Sequence, residues 1–226
     1  MKKPHFHLDR LTLGRMQNPV RGFLHGAAAV LAVAGCVFIV LQAPTWPSRF
    51  AVLAFGLTMV ALFTTSSLYH SVPWSEIWKR RMQRADHSMI AIFIAGTYTP
   101  IAVIGLDGAW SVISLIGAWV IALVVAGQQI LFPLERNTFG IAMMTTLGWL
   151  AILVMWPFAQ KAGLTPVVWF AVGGVLYTVG MVMLVTNRPR LWPRVFSYHE
   201  VFHVLVVIAT AVHFTAVWRY VVPLAA

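Results

Sequence analysis

The chain has 226 residues, of which 60% are hydrophobic and 10% charged, and its formal net charge is +10. A soluble domain carries about 25% charged residues, so this composition excludes an ordinary water-soluble enzyme or binding module. The positive balance needs no nucleic-acid partner, because loops beside a membrane collect lysine and arginine for a reason of their own.

A helix that crosses a bilayer needs ~17–25 mostly apolar residues. Seven such stretches occur, at about 22–42, 50–70, 87–105, 110–132, 140–159, 166–186 and 200–218. They predict an all-α membrane protein: a short N-terminal segment, 1–21, followed by a seven transmembrane helix bundle over 22–226. Helices are required because peptide groups in lipid must find their partners within the segment. A β-barrel would instead alternate over stretches of ~10 residues, and these runs do not.

The first span opens RGFLHGA, which puts His25 near its start, and passes through VAGC at 33–36. That tetrapeptide has the outline of a lipoprotein cleavage site, but the apolar run continues as VFIVLQA where a mature chain turns polar. Cys36 is therefore read as part of the span; being the single cysteine, it can form no intrachain disulfide or cysteine metal cluster. The second span ends in TSSLYHS, with Ser66 four residues before His70 and so on one helix face.

The third span opens in RADHSMI, with Asp86 and His87, and closes on AGTYTP, where Pro100 predicts a kink. LDG follows at 106–108. Gln128 and Gln129 in the fourth span, and Thr145 and Thr146 in the fifth, are isolated polar positions. They read as interhelical hydrogen bonders rather than the continuous polar lining of a water-filled pore. Gly173–Gly174 predicts a kink or close packing in the sixth. The seventh opens YHEVFHV, residues 198–204, and contains His213 further along. Trp110, Trp149, Trp156, Trp192 and Trp218 lie near span ends as interfacial anchors, and His5 and His7 read as solvated.

Lysine and arginine placement sets the orientation. Lys2, Lys3, Arg10, Arg15, Arg21, Lys79, Arg80, Arg81, Arg84, Arg136, Arg188, Arg190 and Arg194 fall on one side, 13 in all; Arg49, Lys161 and Arg219 make 3 on the other. The N-terminus is predicted to be cytoplasmic and the C-terminus outside, with anionic headgroups facing the cationic side.

The same bookkeeping gathers reactive groups at that side. YHEVFHV matches H-E-x-x-H, in which histidines four apart share a helix face and can grip one ion. His70 and Ser66 end the second span there, and Asp86 begins the third. Ionisable groups within a membrane span are costly and point to function. Three imidazoles leave one position of a zinc ion open, the arrangement of catalytic sites. Asp86 can then hold or deprotonate a water, and Ser66 can orient it or donate to a developing oxyanion. The plainer readings are an Asp86–Arg84 ion pair and a Ser66 hydroxyl bonded back to its own helix.

SxxxH at 66–70, the aspartate at 86, AGTYTP at 95–100 and HxxxH at 199–203 together resemble the hemolysin III family. That family belongs with the progestin and adipoQ receptors, including the adiponectin receptors, and has the alkaline ceramidases as wider relatives. The resemblance spans all seven segments in order. It implies that His70, His199 and His203 bind zinc, that Asp86 contacts the metal-bound water and that Ser66 sits beside the site. Bacterial members often begin the first span with a Thr-His pair; here Leu24 replaces the threonine and His25 matches, which leaves the role of His25 open.

The resemblance also implies that Glu200 is not the required base, since receptor relatives can carry glutamine in its place. One helical step turns Glu200 ~100° from His199, towards inner-loop arginines such as Arg194. A site-2-type membrane protease would use the LDG motif, but Asp107 is predicted on the outer face, a membrane thickness of ~30 Å from His199. His87 reads as a supporting or structural residue rather than a ligand. By resemblance, the expected function is zinc-dependent hydrolysis of a lipid amide or ester, serving membrane lipid or fluidity homeostasis in a bacterial inner membrane. The alternatives are a receptor or regulator with a structural zinc, or a cytolytic pore.

Overall fold

A computed structural model describes residues 18–131, 138–192 and 195–226. The helices are α1 Pro19–Gln42, α2 Trp46–Ser71, α3 Glu76–Pro100, α4 Gly108–Leu131, α5 Thr138–Trp149, α6 Ile152–Ala162, α7 Leu164–Thr186 and α8 Tyr198–Ala216. α5 and α6 together make one span, so seven helical spans are long and apolar enough to cross a membrane. This is the seven-helix bundle expected from composition. His5, His7, Lys2, Lys3, Arg10, Arg15, Arg136 and Arg194 lie outside the described residues.

Two spans differ from expectation in length. α3 starts at Glu76 rather than at 87. The added stretch EIWKRRMQRA is too charged to read as lipid-embedded, yet it is made largely of good helix formers with Glu76 in the first turn. Asp86 and His87 therefore stand well inside a helix rather than at its mouth. At the other end, the irregularity expected at Pro100 takes the form of a π-helical turn over Ile101–Gly105. α8 likewise continues through a π turn, Val217–Val221, and a final 3-10 turn, Val222–Ala225. α7 ends on Asn187 in the left-handed conformation (φ 53°), a usual helix stop.

Lipid tails are as apolar as leucine, so helices associate in a membrane by close packing and hydrogen bonds. α1 lies along α2 and also touches α8; α2 packs on α3, α3 on α4 and α7 on α8. The α1–α2 seam is built on small residues. The Ser67 hydroxyl donates to the Gly22 carbonyl at 2.8 Å, and a Cβ on Gly56 would overlap the Cys36 side chain. That contact buries Cys36 in the middle of α1, as its place in the apolar run requires. Within the core, Phe55 of α2 stacks against Phe93 of α3 and Phe214 of α8 at centroid separations of 6.0 and 6.3 Å.

The outside is apolar, with Val30, Leu31, Leu41, Ile113 and Leu153 among the exposed side chains. Arginines lie over tryptophans near the span ends: Arg49 on Trp46, Arg219 on Trp218 and Arg81 on Trp78, at 4.9–5.3 Å. Trp110, Trp149, Trp156 and Trp192 are exposed, consistent with anchoring in headgroups.

Candidate metal centre

The start of α8 is held by its own first turn and by α1. Glu200 Oε2 accepts from the Ser197 backbone N–H at 2.8 Å in a capping box. Its other oxygen, Oε1, accepts from Arg21 Nε at 2.6 Å, with the two side chains only 10% and 12% exposed. Both oxygens of Glu200 are thus committed, one to the helix cap and one to a cation. That leaves the carboxylate engaged in structure rather than poised as the base of a protease motif. The cation it bonds is Arg21 of α1; Arg194, the inner-loop partner expected from the sequence, lies outside the described residues.

This anchorage fixes the direction of α8, whose first two turns carry His199 and His203. The end of α2 meets them: the Asn18 N–H donates to the His70 carbonyl at 3.0 Å, tying the N-cap of α1 to that end. The rings of His70, His199 and His203 gather at centroid separations of 4.8 Å (His70–His203), 5.0 Å (His199–His203) and 5.6 Å (His70–His199). One ring nitrogen of each lies within 4.8 Å of the others, so the three form a group that can hold a metal ion. His70 and His203 are buried and His199 is half-buried.

The donor set fits such an ion. Three convergent imidazoles, with no opposing carboxylate within the group, are a costly arrangement for a membrane span unless something uses their lone pairs. Imidazole nitrogen suits zinc, copper, iron or nickel, and three protein ligands leave a position open.

Ser66, one turn before His70, is buried, and its hydroxyl interacts with the buried Asp86 carboxyl of α3. Ser66 and His70 share one face of α2, so this contact links Asp86 to the helix face that carries His70. Neither plainer alternative is realised among the described residues. Asp86 forms no ion pair there, and Arg84 Nη1 instead donates to the Ile130 carbonyl at 3.4 Å. His87 is half-buried and stands outside the metal-binding group.

His25, whose role the sequence left open, is 3% exposed, and its Nε2 lies 2.9 Å from Nδ1 of His203. Its spacing from the other histidines carries no signal, because α1 and α8 stand at opposite ends of the chain. His213 packs elsewhere, with Nε2 3.1 Å from the Phe170 carbonyl, and Gly173 gives its ring room. Asp107 is bonded by Lys161 at 2.8 Å at the far end of the third span. It lies ~30 Å from Asp86 along that rod and shares no ion with His199.

Comparison with known proteins identifies the family and several relatives. A family model described as haemolysin-III related matches residues 14–214. Hemolysin-3 of Bacillus cereus is 27% identical over 223 residues, covering 96% of this chain and 98% of that protein. A hemolysin-3 homolog of Bacillus subtilis (strain 168) is 29% identical over 202 residues, 88% of this chain and 91% of its own length. The human monocyte to macrophage differentiation factor is 24% identical over 205 residues, 88% and 82% of the two chains.

Proposed function

The chain belongs to the haemolysin-III-related family of integral membrane proteins, and from that membership we propose that it binds zinc and hydrolyses an amide or ester bond of a membrane lipid. The observation that carries this reading is the triad of His70, His199 and His203, with ligand atoms within 4.8 Å of one another inside an apolar bundle. When bound, zinc supplies Lewis-acid stabilisation of the charge that develops on a carbonyl oxygen. Asp86 is the proton acceptor for the attacking water, and Ser66 holds its carboxyl in place. Arg21 withholds Glu200 from that task by fixing it in the helix cap. A lipid substrate is favoured because the bundle surface is apolar and adjoins the bilayer directly.

In this reading residues 1–21 and the triad face the cytoplasm of a bacterial inner membrane. The support is the charge asymmetry: Arg21, Lys79, Arg80, Arg81, Arg84, Arg188 and Arg190 share the triad's end, against Arg49, Lys161 and Arg219 at the other. These cations draw anionic headgroups to the triad's side. Alkaline phosphatase fused after Ala226 is expected to be active, and the same enzyme fused in the loop between α2 and α3 inactive. The reverse pattern removes the orientation.

The activity itself is tested with chelator-free protein in nanodiscs. Wild type is expected to carry close to one zinc per chain and to turn over at least one member of a panel of N-acyl sphingoid and glycerolipid substrates. Asp86→Asn is expected to keep the zinc and lose ~10²–10⁴ in turnover, the usual worth of a positioned acid–base group. Zinc-loaded wild type that leaves the whole panel intact argues for the receptor or regulator with a structural metal. The isolated polar positions of the spans, with no continuous polar stripe among them, give a pore no support.

A further inference from the structure

We propose that His25 is a positioning residue of the metal centre: it accepts a hydrogen bond from Nδ1 of His203 and so holds His203 with Nε2 directed to the ion. The proposal rests on the zinc-binding reading above and extends it to α1, a helix that contributes none of the three ligands.

The geometry is that of a hydrogen bond and not of simple stacking. His25 Nε2 and His203 Nδ1 are 2.9 Å apart, and the two rings are tilted by 48° at a centroid separation of 4.1 Å. Both are almost fully buried, at 3% and 2% exposure. Phe63 of α2 meets His25 edge to face at 5.1 Å and 79°, which limits rotation of its ring from another side.

Between two neutral imidazoles one nitrogen must donate and the other accept. If His25 donates, the proton of His203 resides on Nε2, and that ring has no lone pair left for an ion. If His203 donates from Nδ1, its Nε2 is free to ligate. The hydrogen bond and metal binding therefore select the same tautomer. Metal-bound histidines characteristically have their second ring nitrogen fixed by a carboxylate, carbonyl or water; here the partner is another imidazole.

The rest of the His25 environment argues against a packing role. With its Nε2 accepting, its proton sits on Nδ1, and that buried nitrogen has no hydrogen-bond partner among the described residues. A site chosen only for packing would be filled by phenylalanine or leucine, which leave no buried polar atom unmatched. Direct ligation by His25 is also disfavoured, because the nitrogen facing the cluster is the one spent on His203.

The test uses the full chain in nanodiscs, with zinc as the probe. Competition against a chromophoric chelator gives the affinity, cobalt(II) substitution gives the ligand-field spectrum, and melting in chelator gives the stability of the metal-free protein. His25→Phe keeps the ring volume and removes the acceptor. It is expected to weaken zinc binding ~10–100-fold and to shift the cobalt bands, with one metal per chain still bound at saturation. His25→Gln restores an acceptor and is expected to recover most of the affinity. A fall in affinity at unchanged metal-free melting temperature is a signature that packing alone does not produce. Equal affinity and an unchanged cobalt spectrum in His25→Phe overturn the proposal, as do four imidazoles counted around the wild-type metal by X-ray absorption. Wild type that binds no zinc overturns the metal reading itself, an outcome separate from the ratio between the variants.

Discussion

His203→Ala is expected to strip the protein of its metal under conditions in which wild type keeps close to one zinc per chain. His203 is 2% exposed and belongs to the triad, and its Nδ1 lies 2.9 Å from His25 Nε2. Structural zinc binds with an apparent free energy of about 10–16 kcal/mol across four ligands. One ligand is then worth about 2.5–4 kcal/mol, a loss of affinity on the order of 10²–10³-fold. Metal analysis after dialysis against a moderate chelator measures this directly. A second readout is thermal: a ligand bound only by the folded state stabilises it by mass action, about 4 kcal/mol at a thousandfold excess over Kd. Zinc should therefore raise the melting temperature of wild type and leave that of His203→Ala unmoved. His87→Ala is the control and should keep its zinc, since His87 stands outside the group. Full zinc retention in His203→Ala would remove the triad from consideration.

Glu200→Ala is expected to destabilise the fold by about 3–5 kcal/mol, the cost of removing one partner of a largely buried ion pair. The partner is the Arg21 guanidinium, 12% exposed and bonded at 2.6 Å to the carboxylate that would be lost. The same substitution removes the acceptor of the Ser197 N–H and so loosens the first turn of α8, which carries His199. Replacing both partners together, Arg21→Met with Glu200→Met, is expected to recover much of the loss, because the two charges of the pair are then removed together. Denaturant midpoints in detergent for Arg21→Met, Glu200→Met and the double variant give the coupling energy. Additive losses would show that the pair is not coupled. The protease reading demands the opposite emphasis, with Glu200 dispensable for folding and essential for turnover.

The spans were legible because the bilayer allows so few solutions. An apolar run of adequate length must be a helix there, and all seven runs are. Boundaries were legible only where polarity changes abruptly. α3 extends back to Glu76 because charged residues that end a hydropathy run can still be good helix formers, and helix and lipid contact are separate properties. The three histidines converge as their chain positions implied, since antiparallel connection returns the end of α2 and the start of α8 to one side.

The contacts that hold the triad in place were not legible. Arg21 counts in the sequence as one more cation beside the membrane, and His25 as a lone histidine in an apolar helix. Glu200 has arginines nearer in sequence than the one it bonds.

The chain by itself determined the membrane class, the seven helices and the side on which its polar groups collect. These follow from hydropathy, length and charge sign, each a property of a segment taken alone. Only the tertiary structure decided which groups meet. Arg21 finds Glu200, and His25 finds His203, because α1 packs against α8 across nearly the whole chain length. Such partnerships depend on helix rotation and distance, and small residues at the seams set both. Periodicity within one helix gives the face that a residue shares, but it does not specify the helix that this face will meet.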